Sequence, residues 1–345
     1  MIKPASARPV KTISCLTLLI ALGATCPDPA NAQSREIRFA NYLPASLPQI
    51  QMDQWFADEL AKRSGGSVKM RIFAAGALGK PTELLKLVAE GGVDVAATAP
   101  GYFPAQMPFL AATNSLPLAY KDAEQSSKII HTLYNEIPAL KDEMRQNNVH
   151  PLFWHVIDPY YLVCRTPVRS LADLKGKRVR SWGEDVPRLF KAIDAVPISL
   201  LPAELYEALQ RGTIDCTPYS LATAVSLKLH EVAKYVTFMS IGSPGGWPQF
   251  YNLKVWESWT PESRKLFMEV AEDAKKRELE QLAKADKEAR EVMKAAGVEF
   301  IEFPEQAKLE AQAPDFIGEW VRKMEGLGKG ADATKMAQRW RELQK

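Results

Sequence analysis

Apolar positions along this chain recur with two periods, and the order in which those periods alternate predicts an α/β fold. Val68-Lys69-Met70-Arg71-Ile72-Phe73 sets apolar against charged residues with a period of two, the pattern of a half-buried β-strand. Residues 37–40 alternate likewise and form the first predicted strand. Between them Pro48 opens an amphipathic helix through Trp55, Phe56 and Leu60, which Gly65-Gly66 terminates. Helical spacing returns over 121–146. A strand-rich run over 151–164 then opens what reads as a second lobe. Ser170 and Asp173 fit a short capped turn that Gly176 ends, and residues 178–181 form the next strand.

One unit occurs twice, 121 residues apart. Pro81-Thr82-Glu83-Leu84 leads to Gly91, Val93 and Asp94, and Pro202-Ala203-Glu204-Leu205 leads to Gly212, Ile214 and Asp215. Each copy predicts a short helix opened by proline, stopped by glycine and followed at once by a strand. Two matching α-β units imply two similarly built lobes, and paired lobes commonly hold a ligand between them. Asp94 and Asp215 lie at strand starts, where their symmetry assigns each to its own lobe rather than to a catalytic pair.

Thr260-Pro261-Glu262 is a strong helix start, and no breaker follows before Gly297. About 36 residues at ~1.5 Å each reach roughly 55 Å, longer than one lobe, so the helix reads as a strut across both.

The chain has 345 residues. Lys3, Arg8 and Lys11 precede a short apolar run over 13–24, and Ala30-Asn31-Ala32 supplies the small-x-small pattern of a cleavable export signal. The cut is expected between Ala32 and Gln33, which makes 1–32 a signal peptide and the location periplasmic. Taking Lys3, Arg8, Lys11 and Asp28 away from 44 basic and 41 acidic residues leaves a net charge of +1. Nothing in that balance recruits nucleic acid. Only Cys164 and Cys216 remain after cleavage. Their neighbours read as buried strands, so two unpaired core thiols are the favoured expectation over a disulfide.

Catalytic chemistry finds little support. No Gly-x-Ser-x-Gly elbow is present. Gly79-Lys80 superficially evokes a phosphate loop, but Ala74 stands where its first glycine is required and Pro81 where Ser/Thr is needed. His131, His150, His155 and His230 show no ligand spacing. No catalytic residue, metal or cofactor is expected.

Gly76-Ala77-Leu78-Gly79, the run Asp173-Leu174-Lys175-Gly176-Lys177-Arg178-Val179-Arg180, and the run from Glu204 through Arg211-Gly212-Thr213-Ile214-Asp215 together resemble the substrate-binding proteins of TRAP transporters, the DctP family. Glu231-Val232-Ala233-Lys234-Tyr235 and the Asn252 to Trp256 segment match as well. The resemblance implies a two-lobed α/β periplasmic-binding-protein-like fold with a hinge and a long helix crossing both lobes. Lobe I would comprise 33–157 with 246–285, lobe II 158–245 with 286–330, and a C-terminal helix 331–345. It further implies a small organic acid ligand, handed to a permease of small and large membrane subunits, with the receptor itself a monomer.

In this family the last arginine of the second motif pairs with the ligand carboxylate; here that is Arg180. A guanidinium suits the role because its planar fork matches two carboxylate oxygens and stays charged when desolvated. Tyr219 stands where sugar-acid binders place an asparagine, Tyr160 where some members supply a second arginine, and Trp182 where a proline is common. Trp247 sits where keto-acid-binding relatives also carry a tryptophan. Fewer polar groups and more rings point to an aromatic or hydrophobic monocarboxylate. Pro202 is expected at the pocket floor, with Tyr42, Tyr102 and Phe103 closing from lobe I. The alternatives are a ligand-sensing receptor uncoupled from transport and, more remotely, a two-lobed periplasmic enzyme.

Overall fold

The structure is a computed structural model that describes residues 35–345; the expected signal peptide and its cleavage point lie outside the described residues. Among the described residues eleven strands form two sheets. They are β1 (Arg35–Asn41), β2 (Val68–Phe73), β3 (Val95–Ala97), β4 (Val149–Trp154), β5 (Tyr161–Cys164), β6 (Arg178–Ser181), β7 (Val196–Ser199), β8 (Cys216–Tyr219), β9 (Tyr235–Thr237), β10 (Pro248–Asn252) and β11 (Glu299–Ile301). The first sheet has the order β2-β1-β3-β10-β4, and the second β7-β6-β8-β5-β9-β11. β1 runs parallel to β2 and β3, and β10 antiparallel to β3 and β4. The second sheet repeats that pattern: β6 is parallel to β7 and β8, and β5 antiparallel to β8 and β9. β11 is added at the far edge, parallel to β9.

The repeated sequence unit does the same work in both sheets. Glu83 accepts a hydrogen bond from the Lys80 N–H at 2.9 Å, and Glu204 from the Leu201 N–H at 2.6 Å, closing the turn that opens each helix. Gly91 and Gly212 end those helices at φ +78° and +72°, a left-handed conformation that costs glycine little. Asp94 accepts from the Arg38 N–H and Asp215 from the Arg178 N–H, both at 2.8 Å, which ties each strand to its neighbour. Phe39 pairs with Val95 and Val179 with Cys216, so the lobes can be superposed residue by residue. Ala40 of lobe I is then the counterpart of Arg180.

The chain passes between the sheets over 155–160 and 238–247. A third link is the 35-residue helix Pro261–Ala295, N-capped by Thr260. It packs on the helix Pro48–Arg63 of one lobe and on Leu221–Ser226 of the other.

Three expectations need correction. The helical run over 121–146 is two helices, Ala123–Glu136 and Pro138–Gln146, because Pro138 cannot donate its N–H and forces Ile137 into extended backbone. The strand-rich run over 151–164 belongs to both sheets, as β4 and β5. Cys164 and Cys216 form a disulfide. They face each other across the antiparallel pair β5–β8 with Cα atoms 4.1 Å apart, a register that strand composition does not reveal.

The C-terminal helices straddle the lobes. From Phe316–Gly326, Trp320 donates to the Pro108 carbonyl at 3.1 Å while Glu319 pairs with Arg188. From Gly330–Leu343, Trp340 stacks on Tyr120 at 5.3 Å. Among the described residues no helix is long and apolar enough to cross a membrane.

Candidate functional site

The parallel strands β1, β6 and β8 end at the crevice between the sheets, where open α/β folds place ligands. Arg180, the third residue of β6, is only 3% exposed. Its Nε donates to the Leu200 carbonyl at 3.3 Å. Among the described residues no carboxylate lies within 4 Å of the guanidinium, and Nη1 and Nη2 have no protein acceptor. Trp182 lies 4.3 Å and Tyr219 5.3 Å from the guanidinium carbon, ring to cation. Such contacts offset part of the cost of burying a charge but leave its hydrogen-bonding fork unused.

Tyr42, Tyr102, Tyr160, Pro202 and Trp247 line the same cavity. Tyr42 follows β1, Tyr102 ends a 3₁₀ turn, Trp182 follows β6 and Tyr219 ends β8. Tyr160 and Trp247 come from the two crossing segments. The rings touch in sequence: Tyr160 is 4.9 Å from Tyr219 and 5.6 Å from Trp182, and Tyr42 is 6.1 Å from Tyr102. Burial pushes all four tyrosine hydroxyls upward, against a smaller downward pull from Arg180. They stay neutral, so Arg180 carries the single formal charge in the lining. The free space enclosed is about 40 Å³. That is room for a few waters, so an organic acid enters only if the lobes or the rings move apart.

Phe103 does not belong to the lining. It is 4% exposed within the apolar core, because the turn that aims Tyr102 at the cleft leaves the next side chain facing inward. Gln49, Asn114 and Thr223 were not anticipated. Gln49 is 4% exposed, lines the cavity and has no side-chain partner among the described residues. Asn114 donates to the Gly245 and Gly246 carbonyls at 2.6 and 3.1 Å and accepts from Gly101 at 3.1 Å. In the sequence it lies in the polar triplet Thr113-Asn114-Ser115, directly after the apolar run Phe109-Leu110-Ala111-Ala112.

Behind Trp247 sits a buried ionic cluster. His155 places Nε2 2.9 Å from Asp53 and Nδ1 2.7 Å from Glu278 of the long helix. Asn41 and Gln249 donate to Asp53, and the Val156 N–H donates to Glu278. Burial alone would push the imidazole down, but the two carboxylates outweigh it and lift His155 to about 10. Among the described residues no group of three or more such side chains could hold a metal ion. A larger open groove, about 700 Å³, lies beside the C-terminal helices and does not include Arg180.

Two lobes of shared topology, joined by crossing segments and closing on one buried cation, define a solute-binding protein. The chain belongs to the DctP family, bacterial extracellular solute-binding protein family 7, whose model matches residues 39–315. It is similar to the 2,3-diketo-L-gulonate-binding periplasmic protein YiaO of Escherichia coli (strain K12), with 25% identity covering 94% of this chain and 98% of that one. Among solved structures it is similar to a TRAP solute-binding protein from an unidentified marine microbe, specific for aromatic acid ligands and in complex with metahydroxyphenylacetate. The TM-score is 0.79 at 22% identity, covering 90% of this chain and 99% of that chain. It is also similar to a TRAP periplasmic solute-binding protein of Roseobacter denitrificans with bound β-D-glucuronate, at TM-score 0.77 and 19% identity over 90% and 99% of the two chains.

Proposed function

We propose that this protein is the periplasmic receptor of a TRAP-type transporter and captures a small aromatic or hydrophobic monocarboxylate between its lobes. The observation that carries the reading is Arg180: a desolvated guanidinium, flanked by rings, with its fork unpaired. Such an arrangement is costly by itself and becomes favourable when a carboxylate completes it. Trp182, Tyr219, Tyr160 and Trp247 would enclose the rest of the ligand, Pro202 would form the floor, and Tyr42 and Tyr102 would close from lobe I. The relatives' named ligands span sugar acids and an aromatic acid. The ring-rich lining favours the latter kind.

Lobe I (33–157 with 246–285) and lobe II (158–245 with 286–330) would hinge about the crossing segments as the ligand binds. The closed form would then be recognised by the small and large membrane subunits. Export with cleavage after Ala32 accords with the family's extracellular role, and capture requires no catalytic group.

The test is a calorimetric and thermal-shift panel of aryl and alkyl monocarboxylates, dicarboxylates and uronic acids, on the wild type and on Arg180→Ala. Monocarboxylates should raise the melting temperature. Loss of two charge-assisted hydrogen bonds at about 1.5–3 kcal/mol each should weaken binding roughly 100-fold or more. Unchanged affinity in Arg180→Ala removes the anchor, and shifts from uronic acids alone remove the aromatic-pocket reading.

A further inference from the structure

Trp247 is 5% exposed, lines the cavity, and its indole N–H has no acceptor among the described residues. A buried donor left without a partner is destabilising, and native structures rarely keep one without a reason. The indole is also held in place. Its carbonyl accepts from the His155 N–H at 2.9 Å, and Asn114 grips the two carbonyls immediately before it. Gly245 and Gly246 approach their neighbours so closely that an added Cβ would stand 1.7 Å from the Thr113 carbonyl oxygen and 1.6 Å from that of His155. The backbone that carries the indole is therefore fixed in place. The ring nearest to it is His155, at 5.5 Å, and an imidazole held as a cation between two carboxylates offers no π-face to an N–H.

We infer that the ligand carries, besides its carboxylate, an acceptor oxygen that takes the Trp247 indole N–H, so that Trp247 selects oxo- or hydroxy-substituted acids over their unsubstituted counterparts. The inference rests on the receptor reading above. Arg180 holds one end of the ligand and Trp247 reads the other. Gln49, whose amide faces the same cavity unpartnered, can adjust to either donor or acceptor; Trp247 can only donate. A fixed donor rejects an analogue lacking the matching oxygen, because binding it would again leave the N–H unpaired.

The test uses matched pairs differing by one oxygen: phenylpyruvate against 3-phenylpropanoate, and 3- and 4-hydroxyphenylacetate against phenylacetate. Calorimetric affinities are measured for the wild type, for Trp247→Phe, and for a protein with 3-benzothienylalanine at position 247, which removes the N–H at nearly constant volume. The last variant keeps the test valid if Trp247→Phe folds poorly. At least one oxygen-bearing acid should bind the wild type roughly tenfold tighter than its partner. That ratio should collapse to about unity in both variants, whatever the smaller ring of Trp247→Phe does to the affinity that both members of a pair share. A ratio that survives both variants, or no preference in any pair, overturns the inference; Arg180→Ala still abolishing binding would then leave the receptor reading standing. No binding by any carboxylate overturns both.

Discussion

Replacing His155 by glutamine should cost the protein much of its stability, and the cost should depend on pH in one direction. The side chain is fully buried and bridges Asp53 on the helix Pro48–Arg63 to Glu278 at the middle of the long helix. Removing one partner of a buried ion pair typically costs about 3–5 kcal/mol, because the remaining charge is stranded. Here two carboxylates are stranded. His155 titrates at about 10 in the folded state, against roughly 6.5 in the unfolded chain. A raised pKa means that the contribution is complete below pH ~6.5 and fades as pH climbs towards 10, by at most about 1.4 kcal/mol per unit. Urea unfolding of wild type and His155→Gln at pH 6, 7.5 and 9, followed by circular dichroism at constant ionic strength, reads the difference directly. The gap should be about 3–5 kcal/mol near pH 6 and should narrow at pH 9. A gap below about 1 kcal/mol at pH 6 refutes the reasoning, as does one that stays constant or widens with pH.

The Cys164–Cys216 disulfide closes a loop with a sequence separation of 52, which in the chain-entropy picture is worth about 4 kcal/mol. The double variant Cys164→Ala/Cys216→Ala should therefore lower the unfolding free energy by about 2–4 kcal/mol in the same urea assay. A loss under about 1 kcal/mol contradicts that assignment. Arg180→Met should raise the melting temperature of the ligand-free protein by relieving an uncompensated buried charge, worth about 1–3 kcal/mol, while eliminating any acid-induced shift. A fall in ligand-free stability would mean that Arg180 serves the fold rather than the ligand.

What could be read in the sequence was the local chemistry. The Pro-x-Glu-Leu units, their closing glycines and Asp94 and Asp215 act through neighbours only a few residues away or on the adjacent strand, so pattern sufficed to place them. The long helix was equally plain, because Thr260-Pro261 starts it and nothing breaks it before Gly297. The rings beside Arg180 were expected from the family resemblance and not from any local pattern; Tyr42, Tyr102, Tyr160, Trp182, Tyr219 and Trp247 line one cavity with it. What escaped was register and direction. Cys164 meets Cys216 only because β5 lies antiparallel to β8, and Phe103 differs from Tyr102 only in which way a short turn faces it. Asp53, His155 and Glu278 are separated by more than a hundred residues at each step and share no motif. For that reason the spacing of the histidines gives no sign of His155's partners.

The two lobes are built alike, yet they are not electrically alike. Arg38 and Arg178 occupy equivalent positions, and each is spent on its own lobe: Arg38 approaches Asp94 at 3.8 Å and Arg178 meets Asp215 at 2.9 Å. Two residues on, the equivalence breaks, with Ala40 in lobe I against Arg180 in lobe II. The repeat therefore supplies a matched scaffold and then a cation on one side alone. With one cation, a closed site would balance one carboxylate; a dicarboxylate would bury an unpaired anion, which is as costly as the unpaired cation that it was meant to relieve. Charge balance thus favours a monocarboxylate independently of the rings, and the tyrosines strengthen the argument. Their hydroxyls stay neutral under burial, so lobe I would close over a ligand without adding any charge of its own.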